Sequence, residues 1–179
     1  GVAECRALAE RVARKLPGIP VELGFVELAE PGIPEAVRAA VAQAPDNPEG
    51  ADGDEEAAAV VVPLMFNTGG HVREDIPEAI DEGRGDARVM YSAPLLPDVR
   101  MRKALNHRLT ETLAAGEGRE EWRPRDTSAV LVGRGALVPD ANASHNTLTR
   151  MCWEETDLSR VEPAGIQVTR PSVPEALAA

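Results

Sequence analysis

The sequence predicts an α/β fold with a mainly parallel sheet. Short runs rich in β-branched residues alternate with amphipathic stretches at helical spacing, and Gly- or Pro-containing turns separate them. The end of the chain also repeats the pattern of an earlier part, which indicates more than one α/β unit. With 179 residues, 43% of them hydrophobic and 27% charged, the chain can bury a proper core.

The first part of the chain predicts a helix, a strand, a second helix and a loop. Residues 1–16 carry apolar side chains at helical spacing, and Pro17 and Gly18 end that helix. Residues 21–28 (VELGFVEL) are typical of a strand. The second helix is expected at 31–44, and the acidic, Pro- and Gly-rich stretch 45–56 is expected to be a solvated loop.

The central stretch, AAAVVVPLMFNTGGHVREDIP, organises the prediction. Residues 57–65 have the length and β-branched content of a strand buried on both faces of a parallel sheet. Residues 67–70 (NTGG) follow, and their glycines allow a sharp turn and a close approach of the backbone. His71 comes next, and Asp75 can cap a helix with Pro77 in its first turn. The histidine is thus expected at the sheet edge where ligands bind.

Beyond this stretch, the same alternation continues. A short helix reaches about residue 82, a strand is expected at 87–92, a helix at 98–115 and a strand at 127–132. The Met and Leu positions of the helix at 98–115 are expected to be core. The charged stretch at 116–126 reads as a linker, so we predict two domains, 1–122 and 123–179, the second of them incomplete.

An internal repeat has an offset of 140 residues. Without a gap it aligns VELGFVELAEPGIPEAVRA with VEPAGIQVTRPSVPEALAA, and matching residues include the pairs Val21/Val161, Glu22/Glu162, Pro31/Pro171, Pro34/Pro174, Glu35/Glu175 and Ala36/Ala176. Gly1 pairs with Ala141, so the strand and turn at 130–139 have no counterpart in the first copy, and the His71 loop has none in the second. We therefore expect the chain to be a fragment of a protein on the order of 100 residues longer.

Charge and composition exclude several classes of function. A formal net charge of −11 and the absence of Lys/Arg clusters argue against a nucleic-acid binder. The sequence has neither an apolar run of membrane-spanning length nor a signal peptide. Its two cysteines, Cys5 and Cys152, are not in a C-x-x-C spacing and are expected to be reduced, as in the cytoplasm.

His71 and Glu27 are the candidate metal ligands. Both are expected at the C-terminal ends of strands that lie next to each other in the sheet, so they can converge in one cleft. The second copy has Gln167 where the first has Glu27. A neutral imidazole and a carboxylate suit a weak, exchangeable site for Co²⁺, Fe²⁺ or Ni²⁺. Two protein ligands are too few for a structural metal.

Structural interpretations of these residues stay open from spacing alone. His71 could be a hydrogen-bonding or surface residue, and Glu27 a solvent-facing member of a strand. His107 and His145 lie in helices without a partner at metal spacing, so both are expected to be structural. The turn Gly133–Gly135 could hold a phosphate, but a single G-x-G is weak evidence.

The motifs VVPLMFNTGGHVREDIP, GFVELAEPGIPEAV, LVGRGALVPDANA and VTRPSVPEAL closely resemble the class II chelatases that insert metal into sirohydrochlorin. The resemblance covers most of the chain and is nearest to the long, two-domain cobaltochelatases. It implies two similar chelatase-like, flavodoxin-like domains with parallel sheets flanked by helices. It also implies an active site in a cleft, a cytoplasmic enzyme of the lyase type, and sirohydrochlorin and a divalent metal as partners, with a homo-oligomer left open.

The resemblance also assigns roles to residues. It implies three metal-handling residues, of which His71 and Glu27 are two. The third, a His in an opening G-H-G turn, has no counterpart here, and its equivalent in the second copy is Arg134, which cannot ligate a cation. Arg73 and Arg134 are expected to meet the carboxylates of the tetrapyrrole.

Three other functions compete with cobalt insertion. The first is the same reaction with Fe²⁺, in sirohaem synthesis, because affinity order alone does not set metal selectivity. The second is a non-catalytic carrier of metal or tetrapyrrole. The third, a phosphate or nucleotide binder, would require several Gly-rich turns at helix starts, and the sequence offers one weak candidate.

Overall fold

A computed structural model describes residues 1–44, 57–96, 98–115 and 123–178. In chain order the elements are α1 (Val2–Ala13), α2 (Ile33–Ala42), β1 (Ala59–Val61), a π-helical turn (His71–Asp75), α3 (Ile76–Arg84), β2 (Val89–Tyr91), α4 (Val99–Ala114), a 3-10 turn (Pro124–Asp126), β3 (Ser128–Gly133), α5 (Pro139–Glu154), β4 (Arg160–Gly165) and α6 (Val173–Leu177). From α2 onward the elements alternate between helix and strand, as predicted, whereas no strand lies between α1 and α2 among the described residues.

The chain divides into two compact units. The first comprises residues 1–63 and 70–93, and the second comprises residues 64–69 and 94–179. Each unit contains one two-stranded parallel sheet, β1–β2 in the first and β3–β4 in the second. The predicted loop at 45–56 and part of the predicted linker lie outside the described residues, and the domain boundary after residue 122 stays a prediction.

The core of the first unit lies between α2 and α3 and one face of the β1–β2 sheet. Its buried centre consists of Ile33 and Val37 from α2 and Ile76 and Ile80 from α3. Val61, Val89 and Tyr91 of the sheet pack against this centre. The apolar stripe of α2 therefore faces the core, as the helical spacing predicts. It packs against Ile76, the first residue of α3.

Gly83 allows the close crossing of α2 and α3. A Cβ atom at this position would lie 2.6 Å from the carbonyl oxygen of Pro34, 2.9 Å from Pro34 Cα and 3.0 Å from Val37 Cβ. Two of these atoms are backbone, so a side chain could be accommodated only by moving the helices apart. Glycine lowers the intrinsic stability of a helix, and the close packing of α2 and α3 offsets this loss.

The strand predicted at 57–65 is shorter and less buried than expected. β1 has three residues, and Val60 is 59% exposed while Val61 packs against the helices. Met90 of β2, paired with Val60 in register, is also exposed on that second face. The expectation of burial on both faces was wrong because α2 and α3 cover the same face of the sheet.

The strand predicted at 21–28 is also not formed as expected. Among the described residues, this segment makes only an isolated bridge between Phe25 and Gly32. In the second unit, the corresponding strand β4 is regular because β3 pairs with it along six residues. Among the described residues, no strand pairs along residues 21–25 in the way that β3 pairs along β4.

The second unit is built from β3, α5, β4 and α6, with α4 packed against α5. Cys152, Leu148 and Ala141 of α5 and Val161 and Ala164 of β4 are buried. Arg102 of α4 pairs with Glu155 at 3.1 Å, which ties α4 to the end of α5. No residue of α4 is fully buried, so the prediction that its Met and Leu positions form core was wrong: one side of α4 stays partly open among the described residues.

The internal repeat is confirmed by the backbone. Cis peptide bonds occur at Glu30–Pro31 and at Arg170–Pro171, and positive φ angles occur at Leu28 (64°) and Val168 (49°). The isolated bridge between Phe25 and Gly32 recurs between Gly165 and Ser172. The positive φ angles and the bridges recur at the offset of 140 residues seen in the sequence, so both copies build the same turn before the helix that begins at Ile33 or Val173.

Within the described ranges, no helix has the length and apolar character that crossing a membrane requires.

Substituting Gly83 tests the crossing of α2 and α3. Gly83→Ala is expected to destabilise the protein by roughly 1–3 kcal/mol because the new methyl group meets backbone atoms. In an open helix the same change would stabilise by about 1 kcal/mol. The urea midpoint of unfolding measures the sign, with the exposed neighbour Glu82→Ala as control. A gain of stability in Gly83→Ala would contradict the close packing described here.

The start of α4 is expected to depend on pH. Asp98 caps α4 by accepting from Arg100 N at 2.7 Å, and the Arg100 guanidinium binds the same carboxylate. These bonds lower the pKa of Asp98 from 3.8 to about 2. Because the folded-state pKa is depressed, the stabilisation is present above pH 3.8 and is lost as pH falls through about 2.

Titration of Asp98 by carboxyl NMR checks this expectation. Arg100→Ala should raise the Asp98 pKa because it removes the side-chain partner while leaving the backbone bond in place. The exposed Arg108→Ala, on the same helix, should leave it unchanged. An Asp98 pKa at its ordinary value in the unmodified protein would refute the capping geometry.

Candidate functional site

His71 stands at the start of a π-helical turn that runs directly into α3. The turn spans His71–Asp75, and its wide register is closed by Ile76 N–H, which donates to the carbonyl of His71. Turns of this kind occur preferentially at functional sites. The sequence placed His71 in a Gly-rich loop before a helix; the structure places it on the first residue of the helical segment itself.

The glycines before His71 do not approach any part of the described chain. A Cβ atom at Gly69 or at Gly70 would meet nothing within 4 Å among the described residues. The close approach that these glycines are predicted to allow is therefore not to the described part of the protein, and an approach to a ligand stays a prediction. Open space lies beside this backbone, next to an imidazole that is 45% exposed.

Asp75 binds His71 and does not cap α3. Its Oδ2 lies 2.5 Å from His71 Nδ1. Asp75 itself has helical backbone angles, φ −63° and ψ −43°, and its side chain makes no capping hydrogen bond. The predicted cap was wrong because the π-helical turn already supplies helical backbone before Ile76, so the side chain is left to pair with the imidazole.

Tyr91 holds the same turn from the sheet side. Its hydroxyl donates to the carbonyl of Val72 at 3.0 Å. Val72 is buried. The partial burial of the Tyr91 hydroxyl raises the pKa of Tyr91. Sequence analysis missed this residue; the available signal was that it is the single tyrosine of the chain and lies near the end of the strand predicted at 87–92.

Glu27 lies on an exposed turn. The following residue, Leu28, has a positive φ of 64° and is 98% exposed. Non-glycine residues in this conformation carry backbone strain and cluster at functional sites. Phe25 N–H donates to Pro31 O at 2.9 Å and Gly32 N–H donates to Glu30 Oε2 at 3.1 Å, so the turn is braced on both sides of Glu27.

The structure does not make the strands of Glu27 and His71 neighbours. β1 pairs with β2, and no ladder joins residues 21–28 to β1 within the described part of the chain. The prediction that the two strands are adjacent was wrong. No three His, Cys, Asp or Glu side chains of the described residues come together as a metal site.

Arg73 and Arg134 are both exposed. Arg73 lies two residues after His71 in the π-helical turn. Arg134 follows β3, and its carbonyl accepts from Gln167 N–H at 2.9 Å. Their predicted contact with the carboxylates of a tetrapyrrole stays a prediction.

The turn Gly133–Gly135 is filled by its own neighbours. Gly135 has φ +84°, and a Cβ atom there would lie 2.0 Å from Gln167 O, so only glycine fits. The cavity beside the turn has a volume of about 30 Å³, the size of one or two waters. This geometry gives no support to the phosphate-binding interpretation.

The other candidate residues have structural surroundings. His145 Nε2 is bonded to Leu131 O at 3.0 Å, and the ring packs against Gly133. His107 is exposed and pairs with Glu111 at 3.2 Å. Cys5 and Cys152 are both free, and burial raises the pKa of the Cys152 thiol, which keeps it protonated.

Comparison with known proteins identifies the family and supports the fold. The CbiX family model matches residues 1–112 and 128–179. The sirohydrochlorin cobaltochelatase of Priestia megaterium is 31% identical over 160 residues, which cover 88% of this chain and 47% of that protein. The sirohydrochlorin ferrochelatase of the same organism is 26% identical over 181 residues, covering 99% of this chain and 61% of its own length.

Solved structures agree with the fold. SirB from Bacillus subtilis with Fe³⁺ superimposes with a TM-score of 0.76 at 25% identity, over 98% of this chain and 64% of that one. SirB from Bacillus subtilis subspecies spizizenii in complex with cobalt superimposes with a TM-score of 0.67 at 24% identity, which supports the fold alone.

The match covers 47% to 61% of the length of the three relatives that align with most of this chain. The match to the family model nevertheless extends over both copies of the repeat. On this evidence, the chain belongs to the CbiX family.

Proposed function

We propose that the protein inserts Co²⁺ into sirohydrochlorin, as a chelatase of cobalamin biosynthesis, with His71 as the residue that delivers the metal. The observation that carries this proposal is the state of His71. Its Nδ1 is hydrogen-bonded to Asp75, so Nε2 is the ring nitrogen left to bind a metal. The side chain is half-exposed, and no described residue lies within 4 Å of where a Cβ atom would be at the two preceding glycines. The names of the relatives supply the reaction: they are sirohydrochlorin cobalto- and ferrochelatases.

The chemistry requires ligands that hold a metal ion and then release it. One imidazole, a borderline donor, and one carboxylate, a hard donor, bind Co²⁺ less firmly than thiolates would, so the metal can be released. Glu27 is the proposed carboxylate. It lies on an exposed turn that hydrogen bonds hold on both sides of it. The third ligand that the resemblance implies belongs to a turn that this sequence does not include.

Insertion also moves two protons. Two pyrrole N–H bonds of the tetrapyrrole break and the metal forms bonds to the four ring nitrogens, so one Co²⁺ enters and two protons leave. His71 Nε2, once it has given up the metal, and the Glu27 carboxylate are the proposed acceptors, which pass the protons to water. Arg73 and Arg134 are the proposed partners of the carboxylates of the substrate.

Iron is the second candidate metal. Two of the relatives are ferrochelatases, and one of the similar structures is described with Fe³⁺. Cobalt is proposed because the relative with 31% identity over 88% of the chain is a cobaltochelatase. Ni²⁺ suits the same donors. A carrier without chelatase activity is the outcome if no metal is inserted.

We further propose that the protein works in the cytoplasm without nucleic acid or membrane as partner. The two cysteines are free, which suits a reducing compartment. The net charge of −11 opposes binding to phosphate backbones.

Removing the imidazole tests the role of His71. In the complete protein, His71→Ala is expected to lower the rate of Co²⁺ insertion by roughly 100-fold or more, since both metal delivery and proton acceptance are lost. The absorbance change of sirohydrochlorin measures the rate against a blank with metal alone. His107→Ala, which removes an exposed imidazole from α4, should keep the full rate.

The same assay with Fe²⁺ and Ni²⁺ gives the metal preference as a ratio of rates. A faster rate with Fe²⁺ than with Co²⁺ would replace the cobalt proposal by the iron one. If the complete protein accelerated insertion of none of these metals, the chelatase proposal would fail and the carrier would take its place.

Glu27 is tested by the residue that the second copy carries. Glu27→Gln matches Gln167 of the repeat and removes the charge at nearly constant volume. We expect a loss of roughly 10- to 100-fold in kcat/KM for the metal, because an amide is a poorer ligand and does not accept a proton. Glu10→Gln, an exposed change on α1, serves as control. An unchanged kcat/KM in Glu27→Gln would assign Glu27 to the solvent-facing role.

A further inference from the structure

We propose that Asp75 is a positioning residue for His71: it holds the imidazole as the Nδ1–H tautomer and keeps Nε2 directed toward the metal. The inference rests on the proposed function for its meaning in catalysis, but its structural content can be measured separately. It adds a residue to the site that neither the sequence motif nor the comparisons assign.

The hydrogen bond itself defines the tautomer. Asp75 Oδ2 lies 2.5 Å from His71 Nδ1. An ionised carboxylate can only accept a hydrogen bond, so Nδ1 must carry the proton. Nε2 of the neutral ring then carries the lone pair that a metal ion needs. Without Asp75, the ring would be free to adopt the other tautomer or to rotate.

The backbone on both sides of the pair is anchored in the core. Val72 directly follows His71 and Ile76 directly follows Asp75, and both are buried, with exposures of 6% and 3%. Tyr91 donates to the carbonyl of Val72, and Ile76 N–H closes the π-helical turn on the carbonyl of His71. The spacing of His71 and Asp75 is therefore set before any metal arrives, which is the property expected of a preorganised ligand.

Asp75 contributes little to the fold itself. Its side chain is 55% exposed, makes no capping bond to α3 and lies outside the buried cluster of α2 and α3. Its replacement should thus leave the protein folded. The partners of metal-binding histidines typically orient the ring and raise its basicity, and their loss costs roughly 10- to 100-fold in metal affinity or activity.

The tautomer of His71 in the metal-free protein tests the inference directly. Long-range ¹H–¹⁵N NMR at alkaline pH, where imidazoles are neutral, distinguishes Nδ1–H from Nε2–H, and the chain has three histidines to assign. We expect Nδ1–H for His71 in the unmodified protein. Asp75→Ala should shift it toward Nε2–H, whereas Asp75→Asn, whose amide oxygen can still accept, should retain Nδ1–H.

The control is Asp81→Ala. Asp81 is an exposed carboxylate on α3 that pairs with Arg84 at 2.7 Å, so the change removes the same charge from the same segment. In the Asp81→Ala variant, His71 should have the same tautomer as in the unmodified protein. An Nε2–H tautomer in the unmodified protein, or no change in Asp75→Ala, would overturn the inference.

Metal insertion by the same variants separates this inference from the proposed function. Asp75→Ala should lower kcat/KM for Co²⁺ by roughly 10- to 100-fold, mainly through a higher KM for the metal, and Asp75→Asn should recover most of the loss. If the unmodified complete protein is active and Asp75→Ala is as active as Asp81→Ala, the positioning role falls while the chelatase stands. If the unmodified protein inserts no metal, the proposed function falls and the NMR result still decides the tautomer.

Discussion

The packing of α2 against α3 over one face of the β1–β2 sheet determines the rest of the first unit. Ile33 and Val37 meet Ile76 and Ile80 in a buried cluster, and Gly83 lets the two helices cross at backbone distance. Ile76 is the first residue of α3, so burying it fixes the end of the π-helical turn that carries His71. The position of a half-exposed, chemically useful imidazole thus follows from an apolar contact on the other side of the helix.

Around His71, the side chains make different contacts from the local ones that the sequence predicts. A carboxylate near the start of a helix usually caps it, but Asp75 lies inside helical backbone and binds the imidazole. Tyr91, from β2, donates to the carbonyl of Val72 in the same turn. The turn is consequently held by the hydrogen bond between His71 and Asp75 and by the hydroxyl of Tyr91, and it has a more fixed backbone than a Gly-rich loop would have.

The repeat shows which features of the architecture depend on neighbours. Both copies build the same turn, with a positive φ at Leu28 and at Val168, because the local sequence is sufficient for it. Only the second copy builds a regular strand before that turn, since β3 lies beside β4 and gives it hydrogen bonds. The same sequence pattern therefore yields a ladder in one copy and an isolated bridge in the other.

The sequence by itself determined the α/β class, the order and approximate ends of α1 to α4, the repeat and the candidacy of His71. These depend on the periodicity of apolar residues, on Gly and Pro positions and on motif resemblance, all of which are local properties. Only the tertiary structure decided that β1 buries one face, that the strands of Glu27 and His71 are not paired, and that Asp75 and Tyr91 hold the histidine turn. Strand neighbours, helix crossings and side-chain partners are set by contacts between residues far apart in the chain, and periodicity carries no information about which of these contacts form.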